Sequence, residues 1–328
     1  MRYFGKTAWT ASMAGVTACV LCALAVLACD KSPLSSQPSP NDSLGVKWTK
    51  QNAGTIDEIR SVVWTGSQLV AVGGRYNASG VILTSPDGTA WTSRALGIDY
   101  IMLFSITWTG SKLVAVGANG TIFSSPDGIT WTSKNSGTTA DLISVTWTGS
   151  QLAAASYEGV ILTSPDGELW TKRTTGGAYS LYSISWAGSQ LVAVGDDGAI
   201  LTSPDGVTWT QRVVEAAGSL LSVAWTGKQL VAVGNSVLTS PDGVVWTITS
   251  APYQALTLHS VVWTGTSLVA VGFNGTIQTS LNGKTWTSRS SGTTDNLNSV
   301  AWTGSRLVAV GGGYNSPTGN YSTILTSP

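Results

Sequence analysis

The folded part of this chain has no cysteine and almost no histidine. Cys19, Cys22 and Cys29 are its three cysteines and all lie in the first 29 residues, and His259 is the only histidine among 328 residues. A disulfide framework, a cysteine metal site and a histidine-cluster metal site are therefore excluded beyond residue 29. Stability has to come from packing, and we expect neither a metal nor a cofactor.

Charge is also scarce and carries no excess of either sign. Charged residues make up 10% of the chain, with 17 Lys and Arg against 17 Asp and Glu. Arg2 and Lys6 fall in the N-terminal leader, which leaves 17 − 2 = 15 basic against 17 acidic residues, a net charge near −2. Nucleic-acid binders usually carry a basic patch or stripe, so we expect no nucleic-acid partner.

The N-terminus reads as an export signal. Arg2 and Lys6 precede an apolar stretch over residues 8–28, which ends in Val26-Leu27-Ala28-Cys29. This run resembles the bacterial lipobox, and the resemblance implies cleavage before Cys29 and lipid on its thiol. We therefore predict a signal peptide over residues 1–28 and export to a bacterial membrane, on its periplasmic side or at the cell surface. An uncleaved transmembrane anchor and an ordinary signal peptide are the alternatives.

A Ser/Pro-rich tether is predicted over residues 29–44. Residues 30–44 reach roughly 47 Å when extended at about 3.1 Å each, enough to hold a domain clear of the membrane.

The rest of the chain is a sevenfold repeat of about 39 residues. Each copy opens with Ser-aliphatic-x-Trp-Thr-Gly, with Ala187 replacing Thr in the fourth. The copies span residues 61–66, 105–110, 144–149, 183–188, 222–227, 260–265 and 299–304. Each continues with Leu-Val-Ala-Val-Gly or a variant, a polar Gly-rich stretch, Ile-Leu-Thr-Ser-Pro-Asp-Gly and x-x-Trp-Thr. Short apolar runs punctuated by Gly and Pro-Asp-Gly indicate four β-strands, A to D, per repeat.

Four strands in about 40 residues is the size of a propeller blade. The sequence therefore predicts an all-β fold, a seven-bladed β-propeller over residues 45–328. Seven tryptophans lie in A strands, but only six follow an Asp-Gly or Asn-Gly turn, so one blade lacks its last strand. The missing piece stands at Gly45-Val46-Lys47-Trp48-Thr49. We expect this N-terminal strand to complete the last blade and to close the ring without an open sheet edge.

The turn between strands C and D carries a repeated Ser-Pro-Asp-Gly-x-x-Trp. Its aspartates are Asp87, Asp127, Asp166, Asp205 and Asp242, and the sixth copy has Leu281-Asn282. Pro presets φ, Asp bonds the turn backbone and Gly takes a positive φ, so these residues are interpreted as structural. The run resembles the Asp-box (BNR repeat) of bacterial sialidases and of photosystem II assembly-factor propellers, although the turn here is one residue shorter throughout. The resemblance implies a propeller and, from the assembly factors, a protein or peptide partner.

Fourteen tryptophans beyond the leader are open to two interpretations. They are either core residues or sugar-stacking platforms of the lectin kind. Their strict repetition within strands favours the core, where large aromatic side chains contribute most of the buried apolar area.

The two ends of the blades differ in variability. The A–B and C–D turns, Thr-Gly-Ser and Ser-Pro-Asp-Gly, hardly change and form what we call the turn face. The B–C loops and the D-to-A connections vary from blade to blade and form the loop face, which is our candidate binding face. The residue before each opening serine also varies and is expected at the channel mouth, either holding a ligand or merely plugging the channel. These residues are Arg60, Phe104, Ile143, Tyr182, Leu221, His259 and Asn298.

Two enlarged B–C loops, in the first and last blades, form a second candidate binding site. Ring closure makes the first and last blades neighbours, which brings their long loops to one corner of the loop face. Tyrosine in Gly/Ser/Asn-rich loops is favoured at protein-recognition surfaces, with ordinary loop drift as the alternative. The candidate residues are Tyr76, Asn77, Tyr314, Asn315 and Tyr321.

Catalysis is the less favoured interpretation. The early Phe/Tyr-Arg-Ile-Pro motif that the sialidase resemblance implies is absent. A Ser-His-Asp triad would have to use His259. A paired-carboxylate glycosidase stays conceivable, although nothing in the spacing selects a pair. The carboxylates expected near the loop face are Asp57, Glu58, Asp99, Asp141, Glu158, Asp196, Asp197 and Asp295.

The sequence thus predicts a monomeric, non-enzymatic propeller that is lipid-anchored through Cys29 and binds a protein or peptide. A lectin-like or glycosidase-related propeller that binds a glycan is the alternative.

Overall fold

The computed structural model describes residues 44–55, 57–75, 80–96, 101–177, 179–214, 217–250, 257–312 and 322–328. Regular structure in these ranges is almost entirely β, with single 3₁₀ turns in three of the B–C loops. No helix in the described part of the chain is long and apolar enough to cross a membrane.

Twenty-eight strands lie within the described residues. They are β1 Thr49–Gln51, β2 Ile59–Trp64, β3 Leu69–Gly73, β4 Val81–Ser85, β5 Thr92–Arg94, β6 Leu103–Trp108, β7 Leu113–Gly117, β8 Ile122–Ser125, β9 Thr132–Lys134, β10 Leu142–Trp147, β11 Leu152–Ser156, β12 Ile161–Ser164, β13 Thr171–Arg173, β14 Leu181–Trp186, β15 Leu191–Gly195, β16 Ala199–Ser203, β17 Thr210–Val213, β18 Leu220–Trp225, β19 Leu230–Gly234, β20 Val237–Ser240, β21 Thr247–Ser250, β22 Leu258–Trp263, β23 Leu268–Gly272, β24 Ile277–Ser280, β25 Thr287–Arg289, β26 Leu297–Trp302, β27 Leu307–Gly311 and β28 Thr323–Ser327.

These strands form seven antiparallel four-stranded sheets, which confirms the predicted seven-bladed propeller. Blades 1 to 6 are runs of four consecutive strands from β2 to β25, and blade 7 has the order β1-β28-β27-β26. The first strands β2, β6, β10, β14, β18, β22 and β26 contact one another in sequence, and β26 returns to β2. The first strands therefore surround the central axis, and the ring is closed.

The near-continuous apolar strands result from burial on both faces of each blade. Alternate side chains of a strand point to opposite faces of its sheet. In β3, Leu69 and Ala71 pack with blade 7, whereas Val70 and Val72 pack with blade 2. The same division gives one apolar cluster between each pair of neighbouring blades in the described part. The core is thus a ring of seven interfaces.

Blade 7 is completed by the N-terminal strand, as predicted. β1 pairs with β28 in the register Thr49↔Thr326, Lys50↔Leu325 and Gln51↔Ile324. The C–D turn of blade 7 is made by two separate segments of the chain. Its first half is Ser327-Pro328, and its second half starts at Gly45. The Gly45 amide still donates to Ser327 Oγ at 3.1 Å. In blade 1, where the turn is continuous, the Gly88 amide makes the corresponding bond to Ser85 Oγ at 2.8 Å.

The tryptophans lie at the edge of the core rather than inside it. The A-strand tryptophans and the tryptophans that follow the C–D turns are half-buried, and they pack against the buried clusters from outside. The indole N–H of each C–D tryptophan donates to the carbonyl of the turn glycine, as Trp91 does to Gly88 at 2.9 Å and Trp48 does to Gly45 at 2.9 Å. An indole needs an acceptor for its N–H, and the turn supplies one near the surface. The prediction of core tryptophans was therefore too strong.

Candidate functional site

Hydrogen bonds between neighbouring loops sort the blade ends into the two faces. B–C loops bond to D-to-A connections, as in Asn119 N–H to Asp141 Oδ1 at 2.8 Å. A–B turns bond to the C–D turns of the next blade, as in Gln68 Nε2 to the Asp127 carbonyl at 2.8 Å. The variable segments therefore share one face and the repetitive turns share the other.

A β-bulge in the first strand carries the varied residue of every blade. In blade 1, Ile59 pairs with Gly73 and Ser61 pairs with Val72, so that Arg60 is the extra residue. The six other blades show the same shift at the same place. A bulge leaves its extra residue outside the ladder and re-aims its side chain. All seven residues expected at the channel mouth thus occupy bulges at the loop-face end of the innermost strands.

The glycine that ends most B strands makes room for the bulge. A Cβ at Gly117 would lie 2.1 Å from the Met102 carbonyl oxygen, a distance that a real side chain cannot adopt. Blade 3 has Ser156 there instead, and its Tyr157 N–H to Asp141 carbonyl bond is 3.3 Å long. The matching Gly74 to Glu58 bond in blade 1 is 2.9 Å long.

The opening serines join the bulged strands into a ring. Ser61 Oγ accepts the Ile106 N–H of the next blade at 3.3 Å, and Ser105 Oγ accepts the Val145 N–H at 3.2 Å. Equivalent bonds link four more pairs of neighbouring blades. The repeated serine therefore satisfies backbone donors along the inner sheet edges and fixes the spacing of the channel wall.

Polar side chains form a continuous arc around one side of the mouth. His259 Nδ1 lies 3.1 Å from the Leu297 carbonyl, and Asn298 Nδ2 donates to the Ile59 carbonyl at 3.0 Å and to Glu58 Oε1 at 2.9 Å. The other Glu58 oxygen accepts from Arg60 Nη2 at 2.8 Å. Blades 6, 7 and 1 are thus linked through their bulged residues. We call His259, Asn298, Glu58 and Arg60 the polar arc.

The arc ends in a cation–π contact. The Arg60 guanidinium lies 5.4 Å from the centroid of the Phe104 ring in blade 2. Arg60 Nε is buried and has no hydrogen-bond partner among the described residues. A buried donor without a partner costs free energy, so the side chain of Arg60 is held here at some cost in stability.

Apolar and aromatic side chains form the other side of the mouth. Phe104, Ile143, Tyr182 and Leu221 follow one another in blades 2 to 5. The Tyr182 hydroxyl donates to Asp196 Oδ1 at 2.8 Å. Burial and this hydrogen bond raise the pKa of Tyr182, so its hydroxyl stays protonated and held. The Tyr182 hydroxyl is therefore already engaged, and its ring is the part that remains for contact with a ligand.

Tyr157 extends this side onto the loop face. Its ring meets that of Tyr182 edge-on, with centroids 5.4 Å apart and an interplanar angle of 84°. Tyr157 is 43% exposed, and Phe273 in the B–C loop of blade 6 is 44% exposed. Sequence reasoning missed both residues. The break of Leu-Val-Ala-Val-Gly into Leu-Ala-Ala-Ala-Ser before Tyr157 was the available signal.

His259 is uncharged at neutral pH. Burial lowers the pKa of its imidazole below the ordinary value of 6.5, against the opposing effect of hydrogen bonds to the Leu297 carbonyl and the Asn298 side chain. Because a carbonyl can only accept, Nδ1 carries the proton.

Most of the loop-face carboxylates are already engaged. Asp57 pairs with Arg75 at 2.6 Å, Glu58 pairs with Arg60, and Asp196 accepts from Ser219 as well as Tyr182. Asp295 accepts from Lys50 and Thr323. Within the described ranges, no three His, Cys, Asp or Glu side chains group closely enough to hold a metal. The geometry singles out no acid and base pair for glycoside chemistry.

The turn-face aspartates bond their own backbone. Asp127 Oδ1 accepts the amides of Ile129 and Thr130, both at 2.8 Å. Hydrogen bonds from these amides lower the pKa of Asp127, and backbone amides act likewise on the other four repeat aspartates. Asn282 makes the same bonds to Lys284 and Thr285 at 2.9 Å. An amide oxygen therefore serves the turn as well as a carboxylate.

Several predicted site residues lie outside the described part of the chain. They are the lipidation candidate Cys29 and the tyrosine corner of Tyr76, Asn77, Tyr314, Asn315 and Tyr321. Asp99 also lies outside it.

Comparisons with known proteins establish the fold. No family model matches this chain. No curated protein matches it either. Among solved structures, 1173 chains match, so the fold by itself selects no function. A structure of YCF48 bound to D1 peptide is 15% identical, with a TM-score of 0.69, over 87% of this chain and 96% of that chain. Virginiamycin B lyase from Staphylococcus aureus is 11% identical, with a TM-score of 0.72, over 86% and 99%. The WD40 propeller domain of Doa1 is 13% identical, with a TM-score of 0.67, over 86% and 97%.

Proposed function

We propose that this chain is an exported, monomeric propeller, lipid-anchored through Cys29, that binds a protein or peptide at the channel mouth on its loop face. The observation that carries the proposal is the placement of all seven varied residues in bulges around one axis. The opening serine, which links neighbouring blades, is by contrast the same residue in every blade. Seven different side chains at equivalent positions instead suit the recognition of an irregular ligand.

The character of the mouth suits a peptide. The polar arc offers an arginine, an amide and a neutral imidazole, while the opposite side offers Phe104, Tyr182 and Tyr157. A peptide presents backbone polar groups and apolar side chains together, which matches this division. Sites of this kind combine aromatic contact area with a few placed polar groups.

The neighbours support the proposal without deciding it. The YCF48 structure holds a bound peptide, whereas virginiamycin B lyase is an enzyme on the same fold. Functions of propellers therefore have to be argued from the site. Here most of the described loop-face carboxylates are engaged in ion pairs and hydrogen bonds, which favours binding over catalysis.

Peptide selection on the full chain tests the proposal. Peptides are selected from a random library, and their affinity is then measured for the native protein and for an Arg60→Met/Phe104→Leu variant. We expect the variant to bind at least about tenfold more weakly, since truncating a hot-spot residue costs about 2 kcal/mol or more and about 1.4 kcal/mol is already tenfold in affinity. Ile129→Ala on the turn face is the matched control and should bind as the native protein does.

Two results would count against a peptide-binding mouth. One is the selection of peptides whose affinity does not change in the mouth variant while its Tm equals that of the native protein. The other is a failure to select any peptide together with specific binding on a glycan array, which would establish the carbohydrate alternative.

A further inference from the structure

The described chain begins on the turn face. Gly45 stands where the second half of a C–D turn stands in the other blades, and its amide bonds Ser327. Leu44, just before it, lines one pocket together with Leu281 and Asn282 of the blade 6 turn. The segment that leads back to Cys29 therefore joins the propeller at the turn face, beside blade 6.

The same face carries most of the exposed apolar side chains. Nine large hydrophobic residues are exposed in the described ranges, and seven of them belong to C–D turns. These seven are Val46, Ile129, Leu169, Val207, Val244, Val245 and Leu281. Leu169 and Leu281 are each 80% exposed. Single exposed aliphatic residues are ordinary, but their placement on one face, in the turns of six blades, is not accounted for by turn formation.

Charges of both signs lie on this face. The repeat aspartates are exposed and stay ionised, because hydrogen bonds from their own turn amides lower their pKa, so contact with a membrane has to come from the aliphatic side chains and the neighbouring lysines. Lys47 and Lys284 are exposed next to Val46 and close to Leu281, where they would meet lipid phosphate groups.

We propose that the turn face lies against the membrane that holds the Cys29 lipid, and that the exposed C–D turn aliphatic residues enter its interface. This inference rests on the lipid anchor of the proposed function. A tether of about 15 residues spans at most roughly 47 Å even when fully extended at about 3.1 Å per residue, so the face that it joins stays within reach of the bilayer. Such a tether raises the effective concentration of a weak second contact to about the millimolar range. The channel mouth then faces away from the membrane.

The absence of cysteine after Cys29 gives a direct test. An environment-sensitive, thiol-reactive fluorophore is placed on full-length protein carrying Leu169→Cys or Val245→Cys, and the protein is reconstituted in phosphatidylethanolamine and phosphatidylglycerol vesicles. Phe273→Cys is the loop-face control; Phe273 is exposed too, at 44% against 80% for Leu169 and 64% for Val245. Quenching by spin-labelled lipid is then measured for each label, after equal Tm values have shown that each variant folds.

We expect quenching at positions 169 and 245 to exceed that at position 273 severalfold. Equal quenching on the two faces, or stronger quenching at position 273, overturns the inference. So does a label at position 169 that is shielded without lipid quenching and crosslinks to a second copy, because the face then binds protein.

Labelling of the native protein separates the two proposals. A lipidated Cys29 has no free thiol, so native protein should take up no fluorophore. If it takes up fluorophore, at Cys29 alone or also at Cys19 and Cys22 of an uncleaved leader, the lipid anchor fails and the membrane orientation fails with it. If it takes up none and quenching is equal on both faces, only the orientation is wrong.

Discussion

The serine that opens each blade acts on the neighbouring blade rather than on its own. Ser61 Oγ accepts the Ile106 amide across the blade interface, and the pattern recurs around the ring. The sequence shows that the serine repeats but not why, because its partner lies in another blade, one repeat away. Each such bond contributes about 1 kcal/mol net. The repeated serine therefore stabilises the ring, while the residue before it is free to vary.

His259 provides a clean test of burial at the mouth. As the only histidine, it gives a single imidazole signal in NMR. We expect its pKa below 6.5, because burial disfavours the charged form. The unfolded chain then binds a proton on His259 at a higher pH than the folded chain does. The free energy of unfolding therefore falls as the pH drops below about 6.5, and it stops falling below the folded pKa. A His259→Gln variant should lose this component. A measured pKa above about 6.5 would contradict the burial of the ring.

Asp127 should make the stability of the protein respond to acid at a lower pH than His259 does. Its backbone hydrogen bonds lower its pKa in the folded state. Its contribution is therefore complete above the unfolded value of about 3.9 and is lost as the pH falls through the folded value. Asp127→Asn should leave Tm at pH 7 unchanged, because Asn282 makes the same turn with an amide. Asp127→Ala should lower Tm by about 2 °C. Thermal scans at neutral and acid pH check both; a larger loss for Asn than for Ala would show that the charge itself is needed.

At the scale of elements, the bulge is what distinguishes the first strand from the other three. Period and turn residues predicted four strands per blade and their approximate ends. The bulges were not predicted, because one extra residue in a short apolar strand changes no composition and only a pairing register reveals it. The varied residues were nevertheless found from their position before the serine. The site was thus recognised by variation, and its geometry came from the structure.

The glycine opposite the bulge should tolerate no side chain in most blades. Gly117→Ala would place a Cβ 2.1 Å from the Met102 carbonyl oxygen. We expect it to lower the free energy of unfolding by about 1–3 kcal/mol. Ser156→Ala in blade 3 is the control, since that blade already holds a Cβ there. Ser156→Ala should lower the free energy of unfolding by about 1 kcal/mol or less, because it removes the hydroxyl that accepts hydrogen bonds from the Glu158 and Val160 amides. Denaturant unfolding measures both, and equal costs would mean that the bulge can relax around a side chain.

At the scale of the whole molecule, closure depends on a strand from the far end of the chain. β1 covers the free edge of β28, and Lys50 adds an ion pair to Asp295 at 3.3 Å. The sequence predicted this closure by counting tryptophans. It did not predict that the seventh C–D turn keeps its Gly45 to Ser327 bond across the two chain ends, because the two residues are 282 positions apart. The loop-face surface was least predictable, since its B–C loops have no repeated pattern.

Deletion of residues 45–52 should therefore unfold or aggregate the protein. The deletion removes β1 and leaves the β28 edge open to pair with other chains. Deleting residues 36–43, an equal length of tether, should leave the folded state unchanged. Size-exclusion chromatography and thermal unfolding compare the two proteins. A monomeric, cooperatively folded deletion of residues 45–52 would show that three strands suffice for blade 7.

We assign recognition to the loop face and membrane contact to the turn face. Site-specific photocrosslinking in cells tests that division most directly, with a photoreactive side chain placed at Leu221 in the mouth or at Ile129 on the turn face. We predict a discrete protein adduct from position 221, and lipid adducts without a protein adduct from position 129. A protein adduct from position 129 together with none from position 221 would contradict the central claim, since recognition would then belong to the turn face.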